Sequence, residues 1–262
     1  MIMKKIFLIV FCTSLLVTAY GQSNPTKISK FGEFQENWAL IEKGGLFGFL
    51  DNDGNEVVKP KYEKIYQFGE FQPDWALIEK GKLFGFLDKD GNEIIEPNYE
   101  KIYQFGEFQP DWALIEKGKL FGFLDKDGNE VVKPKYEKIY QFGEFQPDWA
   151  LIEKGKLFGF LDKDGNEIIE PNYEKIYQFG EFQPDWALIE KGKLFGFLDK
   201  DGNVLIKPKY EKIYQFGEFQ EDWALVEIGG LFGFVDKDGN EVVKPVYEKM
   251  TKDMKLETET TN

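Results

Sequence analysis

The stretch "FQPDWALIEKGKLFGFLDKDGN" at residues 71–92 recurs without a single change at 108, 145 and 182. Within it, "WALIE" and "KLFGF" flank Lys80 and Gly81. Two apolar runs separated by a two-residue turn that contains glycine read as a β-hairpin. Pairing outward from a Lys80-Gly81 turn opposes Glu79 to Lys82, Ile78 to Leu83, Leu77 to Phe84, Ala76 to Gly85 and Trp75 to Phe86. One face then carries Trp75, Leu77, Phe84 and Phe86, and the other carries Ala76, Ile78, Leu83 and Leu87. Both faces are apolar, so the hairpin is expected to be covered on both sides. Gly85 leaves a gap where a backbone or a ring can come close.

Working outward, Asp88, Lys89, Asp90 and Gly91 suit a type I turn closed by a left-handed glycine. The returning strand is short, "EII" or "EVV", and Pro97 is expected to end it, because proline donates nothing to a ladder. That makes three strands per unit. The connector "NYEKIYQFGEFQPD" stays open between a tight helical turn and an extended segment.

The unit repeats with a fixed period. Trp38, Trp75, Trp112, Trp149, Trp186 and Trp223 are each 37 residues apart, and so are Gly48, Gly85, Gly122, Gly159, Gly196 and Gly233. These tryptophans and glycines are read as packing residues between repeats. Six copies fill residues 28–250. A 37-residue meander has too small an interior to stand alone, so neighbours must bury its faces. The expected fold is all-β: six tandem repeats of short antiparallel strands in an open, solenoid-like array, with a closed six-bladed β-propeller as the alternative. Pro73 becomes Glu36 and Glu221 in the end copies, and Lys82 becomes Gly45 and Gly230, which suggests capping. Alternation of Lys59, Glu96, Lys133, Glu170, Lys207 and Lys244 would lay a charge ladder along the array as far as Lys207 if copies stack in register. Duplication of a pair of repeats would produce the same alternation.

Taken together, "LFGFLDKDGNEVVKPKYEKIYQFGEF" followed by "WALIE" resembles the bacterial WG-containing repeat family: an aromatic-Gly-aromatic strand, an Asp/Gly turn, a β-branched strand, Pro-x-Tyr and a later Phe. The resemblance covers all six copies. The namesake Trp-Gly is Phe-Gly here, at Phe47-Gly48, Phe84-Gly85, Phe121-Gly122, Phe158-Gly159, Phe195-Gly196 and Phe232-Gly233. It implies an all-β repeat domain, often exported, whose activity is largely undefined.

The ends carry a different message. Lys4 and Lys5 precede an apolar run from Ile6 to Val17, followed by Ala19, Tyr20 and Gly21. Residues 1–21 are therefore expected to be a cleavable export signal, too short in its apolar part for an ordinary membrane span. Cys12, the single cysteine, lies inside it between bulky apolar neighbours and reads as filler rather than as a lipid-modified anchor. Residues 22–27 are expected to be a linker and 251–262 a polar, disordered tail.

Composition excludes several classes of function. There is no histidine, every basic residue is lysine, and without Lys4 and Lys5 the chain has 31 Lys against 47 acids, a net charge of −16. Nucleic acid and stable membrane insertion are not expected for so acidic a chain without arginine. Catalysis needs unlike groups in one asymmetric constellation, whereas here every acid has near-equivalents, so no catalytic residue and no cofactor is expected. "DKDGNE" from Asp88 fails as an EF-hand loop, with Glu93 where Gly is required and Tyr99 where the bidentate Glu belongs, so no metal site is assigned.

The aromatics remain. Tyr66, Tyr103, Tyr140, Tyr177 and Tyr214 each follow an isoleucine at an element of mixed polarity and are the candidate ligand contacts. The expected function is an exported, non-catalytic scaffold for a protein partner in the periplasm, at the cell surface or secreted. A multivalent carbohydrate-binding module, with tyrosines stacking on sugars, and a purely structural spacer are the alternatives.

Overall fold

The computed structural model describes residues 27–250 and 256–257. The expected export signal lies outside the described residues, as do residues 22–26 of the linker and all of the expected tail except Leu256–Glu257. The chain forms two compact units, one up to Lys119 together with Phe123–Glu130, the other Leu120–Gly122 together with the residues from Val131 on.

The first unit shows how the sequence becomes sheets. Its first sheet has β1 (Lys27–Ile28), β2 (Trp38–Lys43), β3 (Leu46–Asp51) and β4 (Glu56–Tyr62), and its second has β5 (Lys64–Phe68), β6 (Trp75–Lys80), β7 (Leu83–Asp88) and β8 (Glu93–Tyr99). Both are antiparallel meanders in which each strand pairs with the next. The second unit holds the same four-stranded sheet over 138–173, 175–210 and 212–247, and the residues of the sheet over 101–136 are divided between the units. Each of these six sheets has two free edges, and none closes into a barrel.

The fold is the expected all-β repeat, with a corrected register. The turn of the β6–β7 hairpin is Gly81-Lys82, and Lys80 pairs with Leu83, Ile78 with Gly85, Leu77 with Phe86 and Trp75 with Asp88. Gly81 and Lys82 have φ of 63° and 62°, the mirror-image type I′ turn whose twist matches that of the strands. The partner shift is two residues, so side chains keep their faces. Trp75, Leu77, Phe84 and Phe86 do share one face, as the alternation predicts.

The interior repeats therefore hold a lysine in the left-handed region, which costs an L-residue about 1–2 kcal/mol, more than the about 0.5–1 kcal/mol that glycine loses in backbone entropy. The first and last repeats use Gly44-Gly45 and Gly229-Gly230. Lys156→Gly, at φ 63°, should accordingly stabilise its hairpin by about 0.5–1 kcal/mol, read as a higher urea midpoint at unchanged slope.

The connector supplies a fourth strand. Lys64 pairs with Glu79 and Ile65 with Ile78 before the ladder shifts to Phe68 opposite Ala76. Pro97 does not end its strand: β8 runs through it to Tyr99. Phe84 pairs with Tyr99 and Phe86 with Ile95, so β8 bulges over Gly85, and Pro97 lies in that bulge, where no ladder donor is required.

Burial follows from stacking. Phe49, Val58 and Tyr62 of the first sheet form one cluster with Ile65, Ala76, Ile78 and Leu87 of the second. In the second unit, Leu151, Phe160, Ile169 and Tyr173 meet Ile176, Ala187, Ile189 and Leu198 in the same way. At these junctions one face of a sheet covers the opposite face of the next, which is why the hairpins are apolar on both sides.

Candidate functional site

Of the predicted packing residues, the tryptophans stand at these junctions. The Trp75 ring lies 5.2 Å from Phe86 of its own sheet and 5.9 Å from Phe105, which follows the first strand of the next. Trp149 meets Phe160 and Phe179 at 5.1 and 5.8 Å, Trp186 meets Phe197 and Phe216 at 5.2 and 5.4 Å, and Trp38 meets Phe49 and Phe68 at 5.2 and 6.3 Å. Trp112 and Trp223 lie against Phe123 and Phe234.

The glycines act inside the sheet. A Cβ on Gly85 would fall 2.3 Å from the Ile95 carbonyl oxygen, and on Gly48, Gly122, Gly159 or Gly196 it would fall 2.2 Å from the equivalent oxygen. At Gly233 the distance is 2.5 Å, to the oxygen of Val243. The aromatic-Gly signature is therefore a demand of the β7–β8 bulge, where backbone crosses backbone.

The Asp/Gly turn belongs to the junction as well. A Cβ on Gly91 would lie 2.9 Å from Val58 and 3.2 Å from Val57 of the preceding sheet, and one on Gly202 would lie 2.6 Å from Ile168. Asp88 Oδ1 accepts from the backbone N–H of Asp90 and Asn92 at 2.9 and 2.8 Å, and Oδ2 accepts from Asn92 Nδ2 at 3.0 Å. These oxygens face amides of their own turn. Burial works against ionisation of Asp88, but the hydrogen bonds from Asn92, Asp90 and Gly91 outweigh it and hold the carboxyl below its ordinary range.

A second tyrosine series, absent from the sequence reading, joins successive sheets. Tyr62 donates its hydroxyl to Glu93 of the next sheet, Tyr99 to Glu130 at 2.7 Å and Tyr210 to Glu241 at 2.7 Å. Tyr136 donates to Glu167 in the same manner. Burial first, then the hydrogen bond to and charge of the facing glutamate, push the hydroxyls of Tyr62, Tyr99, Tyr136 and Tyr210 well above the ordinary phenol range. Lys61, Lys135 and Lys209 add ion pairs of 2.8, 2.6 and 2.9 Å to three of these glutamates. The charge ladder takes this form rather than the expected one. Lys59 with Glu96, and Glu170 with Lys207, form no ion pair, and Glu96 and Glu170 accept instead from Asn98 and Asn172. The signal was present in the interval of 31 residues that separates Tyr62, Tyr99, Tyr136 and Tyr210 from the next "DGNE" glutamate.

One junction breaks the series. Val204, 42% exposed, stands where a glutamate would face Tyr173, and burial alone raises that hydroxyl. Val204→Glu should supply the missing acceptor. A hydrogen bond to a charged group contributes about 1.5–3 kcal/mol, less the cost of ordering the side chain, so a gain of about 1 kcal/mol is expected in urea unfolding. Tyr173→Phe should erase that gain in the double variant.

Acid should loosen the junctions. Glu93 and Glu167 are held below their ordinary range because hydrogen bonds from Lys61 and Tyr62, or Lys135 and Tyr136, outweigh the opposing effect of burial. Asp51, Asp125 and Asp236 are also lowered, with the Asn55, Asn129 and Asn240 side chains as donors. For Asp125 and Asp236 burial is the largest influence and opposes the shift. Carboxyls depressed in the folded state contribute stability that is present above their unfolded values and lost as pH falls through the folded ones. The urea midpoint should therefore be level from about pH 7 to 5 and fall below about pH 4. A midpoint unchanged down to pH 3 would refute this.

The five candidate contact tyrosines sit on the first strand of their sheets or next to it, half-buried. Lys64 Nζ lies 4.2 Å from the Tyr66 ring centre, and Lys101, Lys138 and Lys175 lie 3.8, 3.8 and 3.9 Å from Tyr103, Tyr140 and Tyr177. An ammonium thus covers one face of each of these four rings. At Tyr214 the lysine turns away: Lys212 pairs with Glu227 at 3.1 Å. A cleft of about 160 Å³ lies there, lined by Leu188, Phe195, Lys212, Ile213 and Tyr214. It is smaller than the about 300 Å³ at which small-molecule pockets begin.

The model of the WG containing repeat family matches residues 47–83, 84–120, 121–157, 158–194, 195–232 and 232–252. The first four of these segments each begin at the aromatic of the aromatic-Gly pair, inside a third strand, so one family unit supplies the last two strands of one sheet and the first two of the next. Among curated proteins none matches the chain. Among solved structures, the chain is similar to Kluyveromyces lactis Hsv2 (10% identity over 84% of this chain and 77% of that one, TM-score 0.24). It is likewise similar to BamB from Moraxella catarrhalis (12%, 82% and 74%, TM-score 0.25) and to apo AztD from Citrobacter koseri (11%, 82% and 70%, TM-score 0.26).

Proposed function

We propose, from the premise that the chain belongs to the WG-containing repeat family, that it is an exported, non-catalytic scaffold that holds a protein partner along its repeats in the periplasm, at the cell surface or outside the cell. The observation that carries this reading is the recurrence of one lysine-over-tyrosine pair, at 3.8 to 4.2 Å, on sheet after sheet. Such a surface offers many equal, shallow, amphipathic contacts, which suits an extended partner gripped by avidity. Tyrosine supplies rigid contact area at low entropic cost, and the acidic surroundings favour a partner with basic segments. No enzymatic activity, cofactor, nucleic acid or lasting membrane insertion belongs to this reading.

The carbohydrate alternative draws on the same five tyrosines. Four of their rings have one face covered by lysine, which leaves one face for a sugar and weakens that alternative. One set of variants separates the two. Tyr66, Tyr103, Tyr140, Tyr177 and Tyr214 replaced together by Ala should abolish cross-linking of the purified protein to envelope or culture-supernatant proteins while its melting curve is kept. If the same set removes binding to immobilised polysaccharides and leaves protein cross-links intact, the chain is a glycan module. Export is read separately, from the intact mass of the secreted form, which should begin at Gln22.

A further inference from the structure

Among the described residues, the first and last sheets each show one half of the junction that the interior repeats form. Toward the sheet before it, an interior sheet presents a phenylalanine, an Asp/Gly turn and a glutamate: Phe68, Gly91 and Glu93 serve the first junction. Toward the sheet after it, a sheet presents a tryptophan, two β-branched residues and a tyrosine: Trp38, Val57, Val58 and Tyr62.

Among the described residues, no sheet precedes the first one, which carries the presenting set. Phe31 is 50% exposed, and a Cβ on Gly54 would meet nothing within 4 Å. Glu56 stands at the position of Glu93. The last sheet carries the receiving set with little over it. Val242 is 40% and Val246 55% exposed, and the strand Glu241–Tyr247 is nowhere fully buried, whereas Val58 and Tyr62 of the first sheet are 3% and 0% exposed. These are not polar caps of the kind that finish a repeat array. The end substitutions read as caps fall in turns instead: Gly45 and Gly230 in the hairpin, and Glu36 and Glu221 beside left-handed Asn37 and Asp222.

Among the described residues, those after the last sheet supply only the start of the next junction. Lys249 pairs with Glu257 and Met250 with Leu256, copying the pairing of Lys64 with Glu79 and Ile65 with Ile78. Beyond that the match stops. Asp253 stands in the sequence at the position of the next phenylalanine, and residues 251–262 contain no Asp/Gly turn with its glutamate. The first sheet has all three, in Phe31, the Asp51–Asn55 turn and Glu56.

We propose that two copies of this chain associate head to tail, the first sheet of one docking on the last sheet of the other. Phe31 packs on Trp223, the Asp51–Asn55 turn on Val242 and Val243, and Glu56 accepts from the Tyr247 hydroxyl. Lys27–Ile28 of the incoming copy takes the place of Lys249–Met250. The interface is heterologous: one copy retains a free first sheet and the other a free last sheet, so the pair retains one free end of each kind. This goes beyond the scaffold reading and does not rest on it, since it concerns the ends and not the lysine–tyrosine surface.

The test is sedimentation velocity of the full chain over a wide concentration range. Wild type should form dimers and longer species as concentration rises. Phe31→Glu and Val242→Glu, both at exposed positions, should each weaken association by at least about tenfold, equivalent to about 1.4 kcal/mol. Mixing the two should restore a dimer and nothing longer, because each variant retains the end that the other lacks. Should Phe31→Glu alter the melting curve, Glu56→Lys replaces it. A wild type that stays monomeric throughout, with the last sheet covered only by its own chain end, overturns the proposal. So does association that both variants leave unchanged, or a mixture that stays monomeric.

Discussion

Gly159→Ala is expected to destabilise its sheet by about 3 kcal/mol or more, at or beyond the upper end of what overpacking costs. The added methyl would lie 2.2 Å from the Ile169 carbonyl oxygen and 2.7 Å from Glu170 C and Pro171 N. All three are main-chain atoms, so no side chain can swing aside to relieve the clash. The strand would have to leave the bulge, and Phe158 would lose its pairing with Tyr173. Gly155→Ala is the control. Its φ is +62° but nothing lies within 4 Å of the added carbon, so it should lose only the left-handed penalty of about 1–2 kcal/mol. If the two variants cost the same in urea unfolding, close backbone approach is not what the signature glycine serves.

Trp186→Ala is expected to cost about 3–5 kcal/mol, the usual range for emptying a buried aromatic site. The ring is 8% exposed and touches Phe197 in its own sheet and Phe216 beyond it, so its loss thins the junction and the sheet together. In an array held by nearest-neighbour contacts, a weakened junction divides the cooperative unit. Amides of 212–247 should then exchange ahead of those of 138–173 in hydrogen-exchange mass spectrometry. Trp223→Ala should cost less than half as much, because the sequence has Asp253 where the next-sheet phenylalanine would stand, and among the described rings Trp223 stacks only on Phe234 of its own sheet. Equal costs at the two sites would mean that these tryptophans serve only their own sheets.

How much of this could be read beforehand depended on which physical signal each residue carried. The faces of the β6–β7 hairpin were legible because alternation survives a two-residue error in pairing, although the turn itself was placed one residue early. Glycine marked the turn, but the type I′ geometry puts it first and forces Lys82 into the left-handed region, which no lysine advertises. The strand Lys64–Phe68 was ambiguous because Ile65 is buried while Tyr66 and Phe68 are half covered, so neither a period of two nor one of 3.6 stands out. Pro97 misled for a related reason: a proline ends a ladder only where a donor is wanted, and in a bulge none is.

The candidate site divides in the same way. The tryptophans and the signature glycines were recognisable from their period; the tryptophans stack on phenylalanines at the junctions, whereas the glycines admit the next strand of their own sheet. The buried tyrosines were missed because Pro-x-Tyr resembles a strand end, and their glutamates lie 31 residues on, in a turn motif that already had an explanation. Tyr66 and its equivalents drew attention instead, being next to polar residues. That neighbourhood is real, and its lysines cover the rings.

The family unit and the sheet are out of phase, two strands from one unit and two from the next. A cut through the array between any two units thus falls within a sheet, and rejoining it 37 residues away rebuilds that sheet from equivalent strands. Slippage between near-identical copies would change the number of sheets without creating a new interface. Length in this molecule is a countable quantity that a lineage can raise or lower by whole steps, and each step leaves the two ends, and whatever they bind, unaltered.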